Sequence, residues 1–295
     1  MKLGLRLLAV IFLVSGWVQA QSTAKSVGPE RGALVIVGGG TMPPELWARF
    51  IELAGGPTAS IVVIPTAGED SSIVSGGARD RARLLDLGVK NVTVLHTRNR
   101  KEADQEAFVA PLRKATGVWF VGGRQWRLAD SYLNTLAHKE FNALLNRGGV
   151  IGGTSAGATI LGSFMVRGDT KGNTIMIGDH TQGLDFIHNV TIDQHILRRN
   201  RQFDLTEVIK ARPELLGIGI DEGTAVVVQK NTFEVLGNSY VAIHDAEQIA
   251  GKNKLPTGQY STSGPFYFLG RGQKFDLQAR KVINLPPQRP NEPAK

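Results

Sequence analysis

The stretch Val150-Ile151-Gly152-Gly153-Thr154-Ser155-Ala156-Gly157-Ala158-Thr159-Ile160-Leu161 passes from an apolar pair, through glycine and serine, into a helix-compatible run. Within it, Gly153–Gly157 fits the pattern G-x-S-x-G, and strand–turn–helix is the context that a nucleophile elbow requires. In such an elbow the serine backbone is held in a tight, strained turn that admits only small neighbours. The hydroxyl then stands above the sheet, and the amide of Ala156 points to where an oxyanion would form. A glycine-rich strand–helix turn is also the form of a phosphate cradle, and a serine there can simply cap the helix. The pentapeptide therefore carries chemistry only if a base accompanies it.

Reading outward, Ala33–Val37 ends in Gly38-Gly39-Gly40, and Ile61–Ile64 ends in Pro65-Thr66-Ala67-Gly68. Val92–Leu95 and Val118–Val121, the latter before Gly122-Gly123, have the same form. Continuous β-branched runs closed by glycine predict strands buried on both faces, as in a parallel sheet. Helix-like stretches lie between them: Pro44–Leu53, Ser71–Leu87, Glu102–Lys114 and Gln125–Asn146. This alternation predicts an α/β protein with a doubly wound, mostly parallel sheet and helices on both sides. Ligands of such sheets bind at the carboxyl ends of the strands, where the glycine-rich loops sit. After Phe164 the texture changes to Gly, Asp, Thr and His, then a charged helix candidate over 194–211. Short strand-like pieces follow at Ile218–Ile220, Ala225–Gln229, Phe233–Leu236 and Tyr240–Ile243, which predict a C-terminal antiparallel extension of the same domain. No repeat or linker interrupts this, so residues 33–284 are expected to form a single hydrolytic domain after a short segment, 21–32.

Met1–Ala20 carries Lys2 and Arg6 before an apolar run, Leu7–Val14, and ends in Val18-Gln19-Ala20. That is the form of a cleavable signal peptide, with cleavage after Ala20. The run is short of the roughly 20 residues that a membrane span needs. The chain is therefore expected to be secreted or periplasmic, without stable membrane association once the leader is removed. It has no cysteine, which excludes disulfides and thiolate metal sites. The formal charge is +8, and loss of Lys2 and Arg6 would leave +6 (8 − 2), but the basic residues are scattered apart from one cluster. No nucleic-acid partner is expected from this pattern. No His-Glu-x-x-His or similar ligand cluster occurs, so neither a metal nor another cofactor is expected. The tail 285–295, rich in proline, is expected to be disordered.

A serine alcohol becomes a useful nucleophile only when a positioned imidazole takes its proton. Histidines stand at 96, 138, 180, 188, 195 and 244. His195 is distinguished by its neighbours in Thr191-Ile192-Asp193-Gln194-His195-Ile196-Leu197-Arg198-Arg199-Asn200-Arg201. Taken together, the Gly-Thr-Ser-Ala-Gly elbow, Gly122-Gly123-Arg124-Gln125-Trp126-Arg127-Leu128, Asp193-Gln194-His195 with Arg199 and Arg201, and Gly219-Ile220-Asp221-Glu222 resemble the cyanophycinases. These are serine peptidases related to aspartyl dipeptidase and to class I glutamine-amidotransferase (flavodoxin-like) folds. The resemblance spans Ala33 to Val228. It implies Ser155 as nucleophile, His195 as general base and Glu222 as the acid that orients the imidazole, with Asp169 as the competing acid. It also implies an oxyanion hole from the amides of Gly123 and Ala156, and a substrate site lined by Gln125, Asp193, Gln194, Arg199 and Arg201. Relatives are often dimers, which makes a homodimer an expectation from the resemblance alone.

The implied substrate is cyanophycin, a polyaspartate backbone with arginines joined to its side-chain carboxyls, cleaved by an exopeptidase to β-Asp-Arg dipeptides. Arg199 and Arg201 could offer forked hydrogen bonds to carboxylates, and Asp193 a partner for guanidinium. Equally, Arg198–Arg201 could be a solvated helix face. Two positions depart from the family pattern: Arg124 stands where an acid is usual, and Asp204 where a further arginine is usual. Both could retune which side chains are accepted. The alternatives are an exported peptidase acting on aspartyl or isoaspartyl peptides, a non-catalytic ligand-binding protein of the same fold, and a nucleotide-binding enzyme using Gly38-Gly39-Gly40, whose loop lacks the P-loop lysine.

Overall fold

A computed structural model describes residues 26–252 and 264–284. The expected leader, 1–20, and the expected tail, 285–295, lie outside the described residues. The apolar runs form strands β1 (Ala33–Val37), β2 (Ser60–Ile64), β3 (Asn91–Val94), β4 (Gly117–Phe120) and β5 (Val150–Thr154). They pair in parallel in the order β1-β5-β4-β2-β3. Every residue of β1 and β4 is buried, which is why these strands read as unbroken apolar runs. Strand β3 lies at the edge and exposes Asn91, Thr93 and Val94.

Side chains alternate across the sheet. Leu34 and Ile36 face Phe108, Leu128 and Phe141 of the helices Glu106–Lys114, Gln125–Tyr132 and Leu136–Asn146. Val35 and Val37 face Trp47 and Phe50 of the helix Pro44–Leu53 and Leu84 of the helix Asp70–Asp86. Removing each such side chain from water contributes roughly 1.5–3 kcal/mol. The long helix expected over 125–146 is two helices. Asn134 sits at φ +60, and the Thr135 hydroxyl caps the second helix by accepting from the His138 amide.

The second half differs more from expectation. Strands β6 (Gly162–Phe164), β7 (Ile187–Gln194) and β8 (Leu216–Ile220) are parallel to one another and begin a separate sheet. The chain then crosses back: β9 (Thr224–Gln229) and β10 (Thr232–Gly237) extend the first sheet antiparallel from β1. Next, β11 (Val241–His244) and β12 (Tyr267–Leu269) complete the second sheet beside β8. Finally β13 (Lys274–Asp276) and β14 (Lys281–Asn284) close the first sheet. The predicted antiparallel pieces thus divide between two sheets: β9 and β10 join the main one, which has nine strands, while β8 and β11 lie in a five-stranded sheet that shares its core, where β8 pairs antiparallel with β11 but parallel with β7. The helix expected over 194–211 is corrected too. Residues Ile187–Gln194 are strand, His195 is a left-handed kink at φ +56, and helix runs only over Asp204–Ala211. A strand buried along Val190–Gln194 needs no polar alternation, and the charged residues that suggested a helix belong to the turn after it.

Candidate active site

The carboxyl ends of β1, β4, β5, β7 and β8 converge, and each contributes a turn. Ser155 follows β5 with φ 56 and ψ −118, a conformation strained for a residue with a side chain. Its amide donates to the carbonyl of Val37 at 3.1 Å, which anchors the elbow to β1. A Cβ on Gly157 would lie 2.2 Å from the Phe120 carbonyl oxygen, so the elbow admits no larger residue there. The Gly122-Gly123 turn after β4 passes beside it; a Cβ on Gly122 would be 3.7 Å from the Ser155 hydroxyl.

His195 follows β7. Its amide donates to the Gly38 carbonyl at 2.9 Å. Its Nε2 lies 2.9 Å from Ser155 Oγ, and its Nδ1 lies 2.5 Å from Glu222 Oε1. A carboxylate at Nδ1 accepts the proton of that nitrogen, which leaves Nε2 as the acceptor for the serine hydroxyl. His195 is 5% exposed. Burial pushes its pKa below the ordinary histidine value, the hydrogen bond to Glu222 opposes that shift, and the charges of Arg199 and Arg201 reinforce it. The imidazole is thus neutral at pH 7 and able to take a proton.

Glu222 lies in the crossing from β8 back to β9. Its neighbour Asp221 accepts from the amides of Leu197 and Arg198 at 3.0 Å each, and from the Ser239 hydroxyl at 2.7 Å. Asp221 thereby folds the turn that bears the arginines. Asp169, the competing acid, instead accepts from the Lys171 amide at 2.8 Å, and its own carbonyl accepts from Arg124 Nη2 at 2.9 Å.

The expected substrate residues divide. Arg199 is exposed and Arg201 half-buried on the turn beyond His195, and neither has an acidic partner within ion-pair distance among the described residues. Gln194 is buried, and its Oε1 accepts from Arg201 at 3.4 Å. Gln125 is also buried, its Nε2 donating to the carbonyls of Val166 and Arg167 at 2.8 and 2.9 Å. Asp193 is fully buried and forked by Arg167, so its carboxylate does not face a ligand. Asp204 is neutralised by the same Arg167 at 2.6 Å.

Sequence reading missed two parts. Gly38-Gly39-Gly40 is the floor under His195 and Glu222: a Cβ on Gly39 would fall 2.2 Å from His195 Cε1, and one on Gly40 2.6 Å from Glu222 Oε2. The signal is present as three glycines at a strand end, a pattern that fits a strand-end turn or a nucleotide loop equally well. Arg167 had no signal at all, since a lone arginine in a polar loop is ordinary.

An elbow serine hydrogen-bonded to a neutral imidazole at the strand ends of an α/β sheet defines a serine-type hydrolase. The chain belongs to peptidase family S51, whose profile matches residues 34–236. It is 31% identical over 268 residues to a cyanophycinase of Geminocystis herdmanii (strain PCC 6308), covering 86% of this chain and 96% of that protein. It is 33% identical over 273 residues to a cyanophycinase of Synechococcus elongatus, covering 87% and 84% respectively. Among solved structures, a peptidase from an acI-B1 Actinobacterium superposes with a TM-score of 0.63 at 24% identity, over 84% of this chain and 98% of that one. A putative peptidase E protein of Listeria monocytogenes EGD-e superposes with a TM-score of 0.51 at 19% identity, over 70% and 99%. At those identities the two structures speak for the fold.

Proposed function

We propose that this peptidase acts on cyanophycin (multi-L-arginyl-poly-L-aspartate), releasing β-Asp-Arg dipeptides through a Ser155–His195–Glu222 triad on a class I glutamine-amidotransferase-like fold. The observation that carries the reading is the unbroken hydrogen-bond line from the Ser155 hydroxyl through His195 to Glu222. The substrate class is supported by the cyanophycinases to which most of the chain is similar.

In the proposed reaction Ser155 Oγ attacks an aspartyl carbonyl while His195 Nε2 takes its proton. Glu222 stabilises the imidazolium that forms. The negative charge on the carbonyl oxygen is met by the amides of Ala156 and Gly123. His195 then protonates the leaving amine, and water, deprotonated by the same imidazole, hydrolyses the acyl-enzyme. Arg199 and Arg201, which lack acidic partners among the described residues, receive substrate carboxylates.

One observation favours a second substrate reading, hydrolysis of aspartyl or isoaspartyl peptides that lack arginine. Asp193, the expected partner for a substrate guanidinium, is committed to Arg167. Incubation with defined β-Asp-Arg oligomers and with isoaspartyl peptides, followed by mass spectrometry, separates the two. The expected result is release of β-Asp-Arg by the wild type, and a loss of roughly 10⁴-fold or more in a folded Ser155→Ala variant. Retained hydrolysis in that variant would overturn the triad; cleavage confined to isoaspartyl peptides would replace the substrate. Export is proposed on the leader-like Met1–Ala20, and an N-terminus at Gln21 in protein recovered from periplasm or medium is its test.

A further inference from the structure

Arg167 is 2% exposed and stands at φ +55, a left-handed conformation uncommon for a residue with a long side chain. All three nitrogens of its guanidinium are engaged, through four of the five N–H groups. Nε and Nη2 fork onto Asp193 at 2.8 and 2.9 Å, Nη2 also reaches Asp204 at 2.6 Å, and Nη1 donates to the Asn173 carbonyl at 3.0 Å. Its own carbonyl accepts from Gln125, the first residue of the helix that follows the Gly122-Gly123 turn. Asp193 Oδ1 in turn accepts from the Gln194 amide at 2.9 Å, one residue before the kink at His195. A single line of bonds therefore ties the turn beside Ser155 to the backbone that presents the base.

The charges are arranged with equal economy. Arg201 is a half-buried cation that feels the charges of this group. Burial lowers its pKa, Arg167 repels it, and Asp193 and Asp204 attract it. With both acids held by Arg167, Arg201 makes no ion pair among the described residues and donates a long bond to Gln194.

We propose that Arg167 is a positioning residue of the hydrolase: its fork on Asp193 fixes the kink that aims His195 at Ser155, and its hold on Asp193 and Asp204 keeps those acids from capturing Arg201. This deepens the serine-peptidase reading above and rests on it. Removal of the fork frees the Asp193 end of β7 and leaves two carboxylates beside Arg201, which swings toward them. The imidazole loses its alignment, and the substrate carboxylate loses its receiver.

The test uses the full-length protein and three variants: Arg167→Lys, Arg167→Met, and Arg167→Met combined with Asp204→Asn. Melting curves establish folding. The rate at which a fluorophosphonate labels Ser155, measured across pH, reports the Ser–His pair without reference to any natural substrate. KM and kcat on β-Asp-Arg oligomers report Arg201. The groups that face His195 are Glu222, Arg199 and Arg201. Withdrawal of Arg201 removes one charge that favours the neutral imidazole, so the acid limb of labelling should move to higher pH in Arg167→Met. Labelling should fall by about 10- to 100-fold in that variant, the size expected for an ångström-scale misplacement, and KM should rise. Arg167→Lys, which keeps the charge but not the fork, should lose labelling rate with a smaller change in KM. The Asp204→Asn change should restore KM in part but not the labelling rate.

Folded Arg167→Lys and Arg167→Met proteins with wild-type labelling, acid limb and KM would overturn the proposal. If the methionine variants do not fold, the lysine variant decides it through its labelling rate. A wild type that labels but cleaves no oligomer defeats the substrate reading and leaves Arg167 to be judged by labelling alone. A wild-type Ser155 that does not label defeats both.

Discussion

Gly39 bears most directly on the chemistry without itself reacting. It lies at φ +108, and the imidazole of His195 rests where a side chain would be. Gly39→Ala would place a methyl group 2.2 Å from Cε1 and 2.6 Å from Nε2, a distance at which the ring must move. The expected outcome is a fall in kcat/KM of about 100-fold or more from the lost alignment, with a destabilisation of about 1–3 kcal/mol from the forbidden φ. Steady-state kinetics and a melting curve check it; an active Gly39→Ala enzyme would mean that the base does not rest on this loop. Arg199 acts on the same ring at longer range. A general base works only when deprotonated, so in the proposed role of His195 activity should fall as pH drops through its pKa, and a lowered pKa extends activity toward acid. Arg199→Gln removes one lowering charge, so the acid limb of fluorophosphonate labelling should shift to higher pH, and less so in high salt. At this scale Ser155 was legible because its small neighbours and its place after an apolar strand are local properties. His195 and Glu222 were legible only through motifs in combination, because their meeting depends on two chain crossings that no local pattern records.

The turn between β7 and the helix Asp204–Ala211 bears Arg199 and Arg201, the proposed receivers of substrate carboxylates. Asp221 holds it from outside by taking two of its amides, and the Ser239 hydroxyl holds Asp221. Asp221→Ala leaves two part-buried amides without their acceptor, each a cost of about 1–3 kcal/mol. The turn should loosen while the imidazole stays on its glycine floor. We therefore expect KM on β-Asp-Arg oligomers to rise several-fold with little change in the labelling of Ser155. Equal losses in both would place Asp221 in support of the base instead. Elements differ in how plainly the sequence announces them, for physical reasons. Strands β1, β2 and β4 are apolar runs within the sheet, and their limits match the sequence pattern to within a residue, whereas β5 continues past Val150-Ile151 through Gly152, Gly153 and Thr154, which carry no strand signal. Over Gln194–Ala211 the charged texture suggests one helix, yet only Asp204–Ala211 is helical; the left-handed φ of His195 that prevents an earlier start has no signature in composition. Likewise β8 and β9 both read as short apolar strands. Which sheet each joins is decided by the Asp221-Glu222-Gly223 crossing between them, a matter of pairing rather than of propensity.

Across the whole molecule the two sheets share a core, and the space between the second sheet and the helix Asp204–Ala211 encloses a histidine outside the site. His244 ends β11 at 1% exposure, its ring 4.9 Å from that of Phe266 and its Nδ1 3.3 Å from the Thr206 hydroxyl. Burial pushes its pKa down to about 3. In the unfolded chain the same group titrates near 6.5. The folded state therefore binds fewer protons than the unfolded state between these values, and stability falls as pH drops through that window. Above about 6.5 there is no loss; by pH 5 it amounts to about 2 kcal/mol from this residue, and it levels off below about 3. His96, His138 and His195, also lowered chiefly by burial, act in the same direction. His180 acts in the opposite one: burial lowers it, but hydrogen bonds to Asp179 and Asp130 raise it overall. Urea denaturation of wild type and His244→Gln at pH 7.5 and pH 5 isolates the buried residue. The glutamine variant should be less stable at pH 7.5 because its fit is poorer, yet it should lose about 2 kcal/mol less than wild type on acidification, since it has no proton to exclude. Equal acid losses in the two proteins would mean that His244 is protonated without cost, and that the interior behind the arginine turn is open to water.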